Sequence, residues 1–258
     1  GHIPLIDQKL KDKQKNILGI SHRHWIYSLA FSSDGNTLAS ASADNTIKLW
    51  QKDPDGKWQQ PERIFDEKIK DKNQKPLKYA HTAKITSICF SPDGKSLVSA
   101  DEDKIIKLWA NNNGSWSPTP LIDTSVTKDV LDKPITGVAH SDVITQVLFS
   151  PNGNFILSTG QDRTIKVWEI KGTSFEPVNL VDESIQNATG DCLGQAHRDC
   201  VNSVCFSQDS SKVVSSDDQG VIKLWDINLG TFVNISDPKI IAPYGSKNKK
   251  HAYEKQIN

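Results

Sequence analysis

Histidine, serine and aspartate are the residue types from which nucleophilic catalytic centres are assembled, and this chain brings them together more than once. His22, Ser40 and Asp44 are followed at the same spacing by His81, Ser99 and Asp103, and again by His140, Ser158 and Asp162. His197 and Ser215 begin a fourth set, with Gln219 where an aspartate is expected. An active site is normally built once. A set that recurs along the chain reads as structure, so no catalytic residue is assigned and no enzyme is expected. Cys192, His197 and Cys200 raise zinc ligation as a second chemistry, but their C-x4-H-x2-C spacing supplies no fourth ligand. Neither a metal nor a cofactor is expected.

The elements that would carry such a set are legible around it. Trp50, Trp109, Trp168 and Trp225 each follow their histidine by 28 residues. Between them lie "IYSLAFSSDGNTLASAS", "ITSICFSPDGKSLVSAD", "ITQVLFSPNGNFILSTG" and "VNSVCFSQDSSKVVSSD": a short apolar run, a turn, a second run, a second turn, then "IKLW" or "IKVW". Pro92 and Pro151 preset φ for a type I turn, and Gly94 and Gly153 supply the left-handed residue that closes such a hairpin. The flanking runs are short and rich in β-branched residues, which argues strands. A further extended segment follows each tryptophan, as in "WSPTPLIDT" and "FEPVNLVDE". Four-stranded antiparallel units that each need a neighbour on both sides pack radially as propeller blades.

The small residue before histidine, the "FSPDG" turn, the aspartate before the third strand and the terminal "IKLW" resemble the WD40 repeat family, in four in-register copies that cover essentially the whole chain. The chain departs from the family in using Ala or Ser before the histidine, and in following Trp with Asp only at Asp226. The resemblance implies an all-β WD40 β-propeller: four complete four-stranded blades with partial strands at both ends, an open arc of a seven-bladed parent. It also implies that His, Ser, Asp and Trp form a hydrogen-bonded set inside each blade. The sets would be His22, Ser40, Asp44 and Trp50; His81, Ser99, Asp103 and Trp109; His140, Ser158, Asp162 and Trp168; and His197, Ser215 and Trp225. On that reading Asp103→Ala destabilises the fold. The fourth unit reads as degraded, with Gln219 for Asp, Ser210 for the turn glycine and Asp218 as a substitute, so a weaker, more mobile blade is expected. The likeness among units resembles bacterial arrays, those of cyanobacteria above all, that serve as the sensing part of a larger signalling protein.

The histidine markers are 59, 59 and 57 residues apart, longer than the usual 40–45 of this family. Because His to Trp is constant, the surplus sits between Trp and the next His. The repeats are placed at 20–66, 79–123, 138–182 and 195–237. Residues 1–8 are read as the fourth strand of a preceding blade and 250–258 as the start of a fifth repeat. The missing blades of the parent are thus expected partners of a partial propeller, and the chain alone is expected to aggregate or pair through its edges.

With 31 basic and 31 acidic residues the formal net charge is zero, so the whole chain favours neither nucleic acid nor an anionic membrane. No apolar run is long enough for a membrane span, and four irregularly spaced cysteines suit reduced thiols in the cytoplasm. Charge is local. The segment from Asp66 to Ala80 carries five lysines against three acids, and that from Asp182 to Ala196 carries three acids and no base. Loops on a rigid scaffold are the usual carriers of function, so a protein or peptide partner is expected on the loop face. Trp25 is the candidate aromatic anchor there, with Lys84, Glu102, Arg163 and Arg198 at the rim. Lys48, Lys107, Lys166 and Lys223 recur two residues before each tryptophan and are expected to lay their stems on the blade with their amines in water. The alternatives are a propeller enzyme with a site in its central channel, or nucleic-acid binding through the lysine loops. Little aromatic interleaving disfavours the latter.

Overall fold

Why the chain forms hairpins is visible at the turn before each second strand. Ser91 Oγ donates to Asp93 Oδ1 (2.6 Å) and accepts the Ser96 amide (2.9 Å), while Gly94, at φ 70°, returns its N–H to Ser91 O (2.9 Å). At the fourth such turn Ser210 takes the glycine's place at φ 62°, and its hydroxyl accepts the Asn152 amide of the neighbouring turn at 3.1 Å.

The fold comes from a computed structural model, which describes residues 3–170, 175, 177–227 and 231–234, the last four by their backbone. The first sheet comprises β1 (Ile26–Phe31), β2 (Thr37–Ser42), β3 (Ile47–Gln51) and β4 (Glu62–Ile64). The second comprises β5 (Ile85–Phe90), β6 (Ser96–Asp101), β7 (Ile106–Asn112) and β8 (Ser115–Leu121). The third comprises β9 (Ile144–Phe149), β10 (Phe155–Gly160), β11 (Ile165–Glu169) and β12 (Pro177–Leu180), and the fourth β13 (Val201–Phe206), β14 (Lys212–Asp217), β15 (Ile222–Asp226) and β16 (Thr231–Asn234). Within each sheet the strands pair antiparallel in chain order. The sheets are the blades of a β-propeller. Their first strands are innermost, β5 lying against β1, β9 against β5 and β13 against β9.

The core consists of three interfaces between blades. Between the first and second, Ala39, Ala41, Ile47, Leu49 and Ile64 meet Ile85, Ile88, Phe90, Leu97 and Trp109. The second and third blades meet through Val98, Ala100, Ile106 and Leu121 against Ile144, Val147, Phe149, Ile156 and Trp168. Leu157, Ile165, Val167 and Leu180 of the third face Val201, Val204, Val213 and Trp225 of the fourth. Strands held between two interfaces, such as β6 and β10, are therefore buried on both faces, which explains why their apolar pattern does not alternate cleanly.

Residues 3–8 pair in no ladder among the described residues, and the third strand that a fourth strand would pair with is not among them. Side chains fasten the segment instead. Ser21 Oγ donates to Leu5 O, Gln60 Nε2 donates to Ile6 O (3.2 Å), and Gln60 Oε1 accepts the Gln8 amide (2.9 Å). The windows 20–66, 79–123 and 138–182 each enclose one sheet, and 195–237 encloses the fourth. The fifth repeat at 250–258 lies outside the described residues.

Candidate functional site

The recurring His, Ser and Trp form one chain of hydrogen bonds per blade. In the second blade Trp109 Nε1 donates to Ser99 Oγ (2.8 Å), which lies 2.6 Å from His81 Nε2. The Ser99 hydroxyl then donates to Nε2, and Nδ1–H of the neutral ring donates to a carboxylate. The same order runs from Trp50 through Ser40 to His22, from Trp168 through Ser158 to His140, and from Trp225 through Ser215 to His197. Every one of these serine hydroxyls is buried. A hydroxyl that is sealed from solvent and committed on both sides cannot meet a substrate, so these are supports of the blade.

The carboxylates require a correction. In the first and third blades they are the expected Asp44 and Asp162, at 3.1 and 2.9 Å from His22 and His140 Nδ1, each also accepting from a threonine, Thr46 or Thr164. In the second blade the partner is Asp101, not Asp103: its Oδ2 lies 2.7 Å from His81 Nδ1, while Oδ1 accepts the Ile105 amide (2.9 Å). Asp103 is exposed and, among the described residues, accepts only from Thr82 Oγ1 at 3.2 Å. The fourth blade likewise uses Asp217, 2.9 Å from His197 Nδ1, so its set is complete and neither Gln219 nor Asp218 substitutes. Two backbone positions thus deliver a carboxylate to one place. Where it arrives from the tight turn, the earlier position must be small: a Cβ on Gly160 would sit 2.8 Å from Asp162 Oδ1 and 3.0 Å from His140 Nδ1.

The lysine comb is also corrected. Lys48, Lys107, Lys166 and Lys223 are buried, and their ammonium groups are taken up by aspartates instead of standing in water. Each donates to an aspartate at the start of the connection that leads into its own blade: Lys48 to Asp7 (2.6 Å), Lys107 to Asp66 (2.7 Å), Lys166 to Asp123, and Lys223 to Asp182. Lys107 and Lys223 also donate to Ala80 O (2.9 Å) and Ala196 O (2.6 Å). Burial pushes the carboxyl pKa of these aspartates up, but the lysine and backbone hydrogen bonds outweigh it and hold each below 3.8. Apolar surroundings forced the outcome: a strand buried on both faces has no route by which a lysine stem can lead to solvent. The signal was in the sequence, since the pairs are 41, 41, 43 and 41 residues apart.

These ion pairs anchor the long connections. Each surplus segment is a small ordered hairpin, or spur, whose neck is closed by a backbone bond: Asp7 N to Ile20 O, Asp66 N to Tyr79 O, Asp123 N to Val138 O and Asp182 N to Gln195 O. Bridges Lys11↔Ile17, Lys70↔Pro76, Lys128↔Pro134 and Gln186↔Cys192 pair the two arms. At each apex an Asp or Asn oxygen accepts the amide four residues on, Asp12 from Asn16 (2.8 Å) and Asp71 from Lys75 (2.9 Å) among them. This is the local turn chemistry in which short polar side chains excel. The spurs expose apolar side chains that no motif foretold: Ile17, Leu77, Leu131 and Leu193, with Leu131 70% exposed.

The rim candidates fall in two places. Trp25 is 70% exposed and stacks edge-on with His24 (5.3 Å) and Tyr27 (6.4 Å), two aromatic partners that sequence reasoning missed. Lys84 and Glu102 pair with each other at 3.1 Å at the equivalent place on the next blade. Arg163, at φ 69°, belongs to the turn whose carbonyl receives Ala196 N, and Arg198 reaches Ser184 O on the last spur (3.2 Å). Cys192 lies on that spur, and both ring nitrogens of His197 are taken by Asp217 and Ser215, so these two do not join Cys200 as ligands.

The buried supports set a pH response. Burial lowers the pKa of His81 from 6.5, so below that value the unfolded chain binds more protons than the folded one. Stability is then full above about 6.5 and is lost as pH falls through the folded value. The ion-paired aspartates, held below 3.8 when folded, add a second loss below that pH. The melting temperature is expected to be flat from pH 8 to 7, to fall below 6.5 and to fall more steeply below 4. Scanning calorimetry that found it rising between pH 7 and 5 would contradict this.

The WD domain, G-beta repeat family matches residues 15–51, 74–110, 133–169 and 190–226, together more than half of the chain. Similar proteins include Protein HIR1 of Eremothecium gossypii, 26% identical over 84% of this chain and 24% of that protein. A subunit of chromatin assembly factor 1 from Gallus gallus is 30% identical over 66% of this chain and 30% of its own length. Nuclear distribution protein PAC1-2 of Uncinocarpus reesii is 25% identical over 85% of this chain and 44% of its own. The chain spans less than half the length of each. These relatives are eukaryotic, and the expected affinity to bacterial arrays finds no support among them. Blades, buried sets and matched repeats agree: the chain belongs to the WD40 repeat family.

Proposed function

We propose that the protein is a non-enzymatic interaction scaffold that binds protein or peptide through the face carrying its spurs. The observation that carries this reading is the pairing of fixed necks with exposed apolar side chains beyond them: each spur is anchored by a buried Lys–Asp pair, yet Ile17, Leu77, Leu131 and Leu193 stand in solvent. Preordered loops lose little entropy on binding. Lysines 68, 70, 72, 75 and 78 of the second spur flank Leu77 with positive charge, which favours an acidic segment bearing an apolar anchor. Names among the relatives point the same way, one belonging to a chromatin assembly factor and another to a nuclear distribution protein.

Peptides selected by display against the full chain are expected to be acidic with one apolar anchor. Their affinity should fall at least tenfold in Leu77→Ser/Lys72→Glu and weaken as salt rises. Peptides whose affinity ignores both changes would remove the reading. Retention of single-stranded DNA in a filter-binding titration, with no peptide selected, would favour the nucleic-acid alternative.

A further inference from the structure

Residues that break the repeat converge on one place. Between the first blade and the second spur lies an open cavity of about 460 Å³, whose walls include Arg23, Asp44, Asn45, Arg63, Leu77 and Tyr79. Arg23 follows the buried His22, where the later blades have Thr82, Ser141 and Arg198. Arg63 on β4 stands opposite Lys48, whereas Pro120, Asn179 and Asn234 stand opposite the later lysines. Tyr79, at the neck of the second spur, gives way to Val138 and Gln195 at the next two necks. Arginine fills both positions only at this junction.

Donors and acceptors in this cavity do not balance. Its carboxylate is committed: Asp44 accepts from His22 Nδ1 (3.1 Å), Thr46 Oγ1 (2.5 Å) and the Arg23 amide (2.9 Å). Its cations are not. Among the described residues the Arg23 side chain donates only to Lys11 O, at 3.3 Å, and Arg63 approaches only Asp7, at 3.8 Å. Asp7 is itself held by Lys48 at 2.6 Å. A guanidinium carries five N–H donors in a planar fork, so most of both forks remain for a ligand. The walls are set before it arrives: Asn45 O accepts the Ala80 amide (3.0 Å) and Asn45 Nδ2 donates to Thr82 O (3.0 Å), which ties the neck of the second spur to the first blade.

We infer that the cavity receives one carboxylate side chain of a protein partner between Arg23 and Arg63, while the residue beside it lays an apolar side chain on Leu77 and Tyr79. The inference rests on the spur face as the binding face and names the contact within it. Arginine forks match a carboxylate in plane and in donor spacing. Charge selects the ligand further. Arg23, Arg63 and Lys48 stand against Asp7 and Asp44, three cations against two anions, so the surplus is a single positive charge. One carboxylate neutralises it, whereas a phosphomonoester, with about two negative charges at neutral pH, would overfill it.

Nuclear magnetic resonance on the full chain tests the cavity with a defined probe. Acetyl-Glu-Leu-amide should shift the Nε–Hε resonances of Arg23 and Arg63, each assigned by its loss in Arg23→Lys or Arg63→Lys, and acetyl-Gln-Leu-amide should leave them in place. Acidic peptides selected by display should bind Arg23→Gln and Arg63→Gln about tenfold more weakly or worse. Both sites are exposed, so thermal unfolding of these variants should match that of the parent chain; should a glutamine variant fail to fold, the resonance titration decides. Peptides that lose affinity in Leu77→Ser/Lys72→Glu but in neither arginine variant would overturn the inference and leave the spur-face reading standing. Arginine resonances that ignore the glutamyl probe, or that respond more strongly to acetyl-phosphoseryl-Leu-amide, would overturn it as well.

Discussion

Replacing Asp66 with Ala is expected to lower stability by about 3 kcal/mol, at the lower end of what breaking a buried ion pair costs. That corresponds to a melting temperature lower by roughly 6–12 °C for a chain of this size. The loss comes from Lys107, whose ammonium sits 2.7 Å from Asp66 and 2.9 Å from Ala80 O in surroundings that leave it 8% exposed. Removing the carboxylate strands a buried cation with one carbonyl. The double variant Asp66→Ala/Lys107→Met removes both charges, so much of the loss should be recovered. A double-mutant cycle in chemical denaturation measures the coupling. Additive single effects would show that the amine escapes to solvent after all.

The second large effect separates two aspartates that are neighbours in sequence. Asp101→Ala should cost about 2–3 kcal/mol, because it leaves the fully buried Nδ1–H of His81 and the Ile105 amide without an acceptor. Asp103→Ala should stay within about 0.5 kcal/mol, as exposed substitutions away from special features do. The test is the difference between the two, read from thermal unfolding under one buffer. Equal destabilisation would mean that the turn, not the buried carboxylate, holds the blade.

This pair also shows what can be read from residue order. The blades, the hairpin turns and the partners His, Ser and Trp follow from spacings that repeat without exception. The aspartate does not, because a fixed offset from tryptophan assumes one backbone origin. At Asp44 and Asp162 the carboxylate leaves the turn, and a threonine two residues later helps to hold it; at Asp101 and Asp217 it leaves the strand end, and Ile105 or Val221 stands where the threonine would be. The alternation of Thr with Ile or Val was the available clue. The lysines failed differently. Each had a recurrent aspartate at nearly constant separation, but the two recurrences belong to different blades, and surface behaviour is the ordinary expectation for an isolated lysine. The apolar side chains of the spurs were least legible, since exposure of Leu131 or Leu193 depends on where a neck closes.

Because those necks are locked by backbone bonds such as Asp66 N to Tyr79 O and by the ion pair beneath, the residues beyond them are mechanically decoupled from the sheets. Insertions or exchanges at an apex between Asp71 and Lys75 are therefore expected to leave the interior untouched, so that one spur can be rebuilt without disturbing the blades or the other spurs.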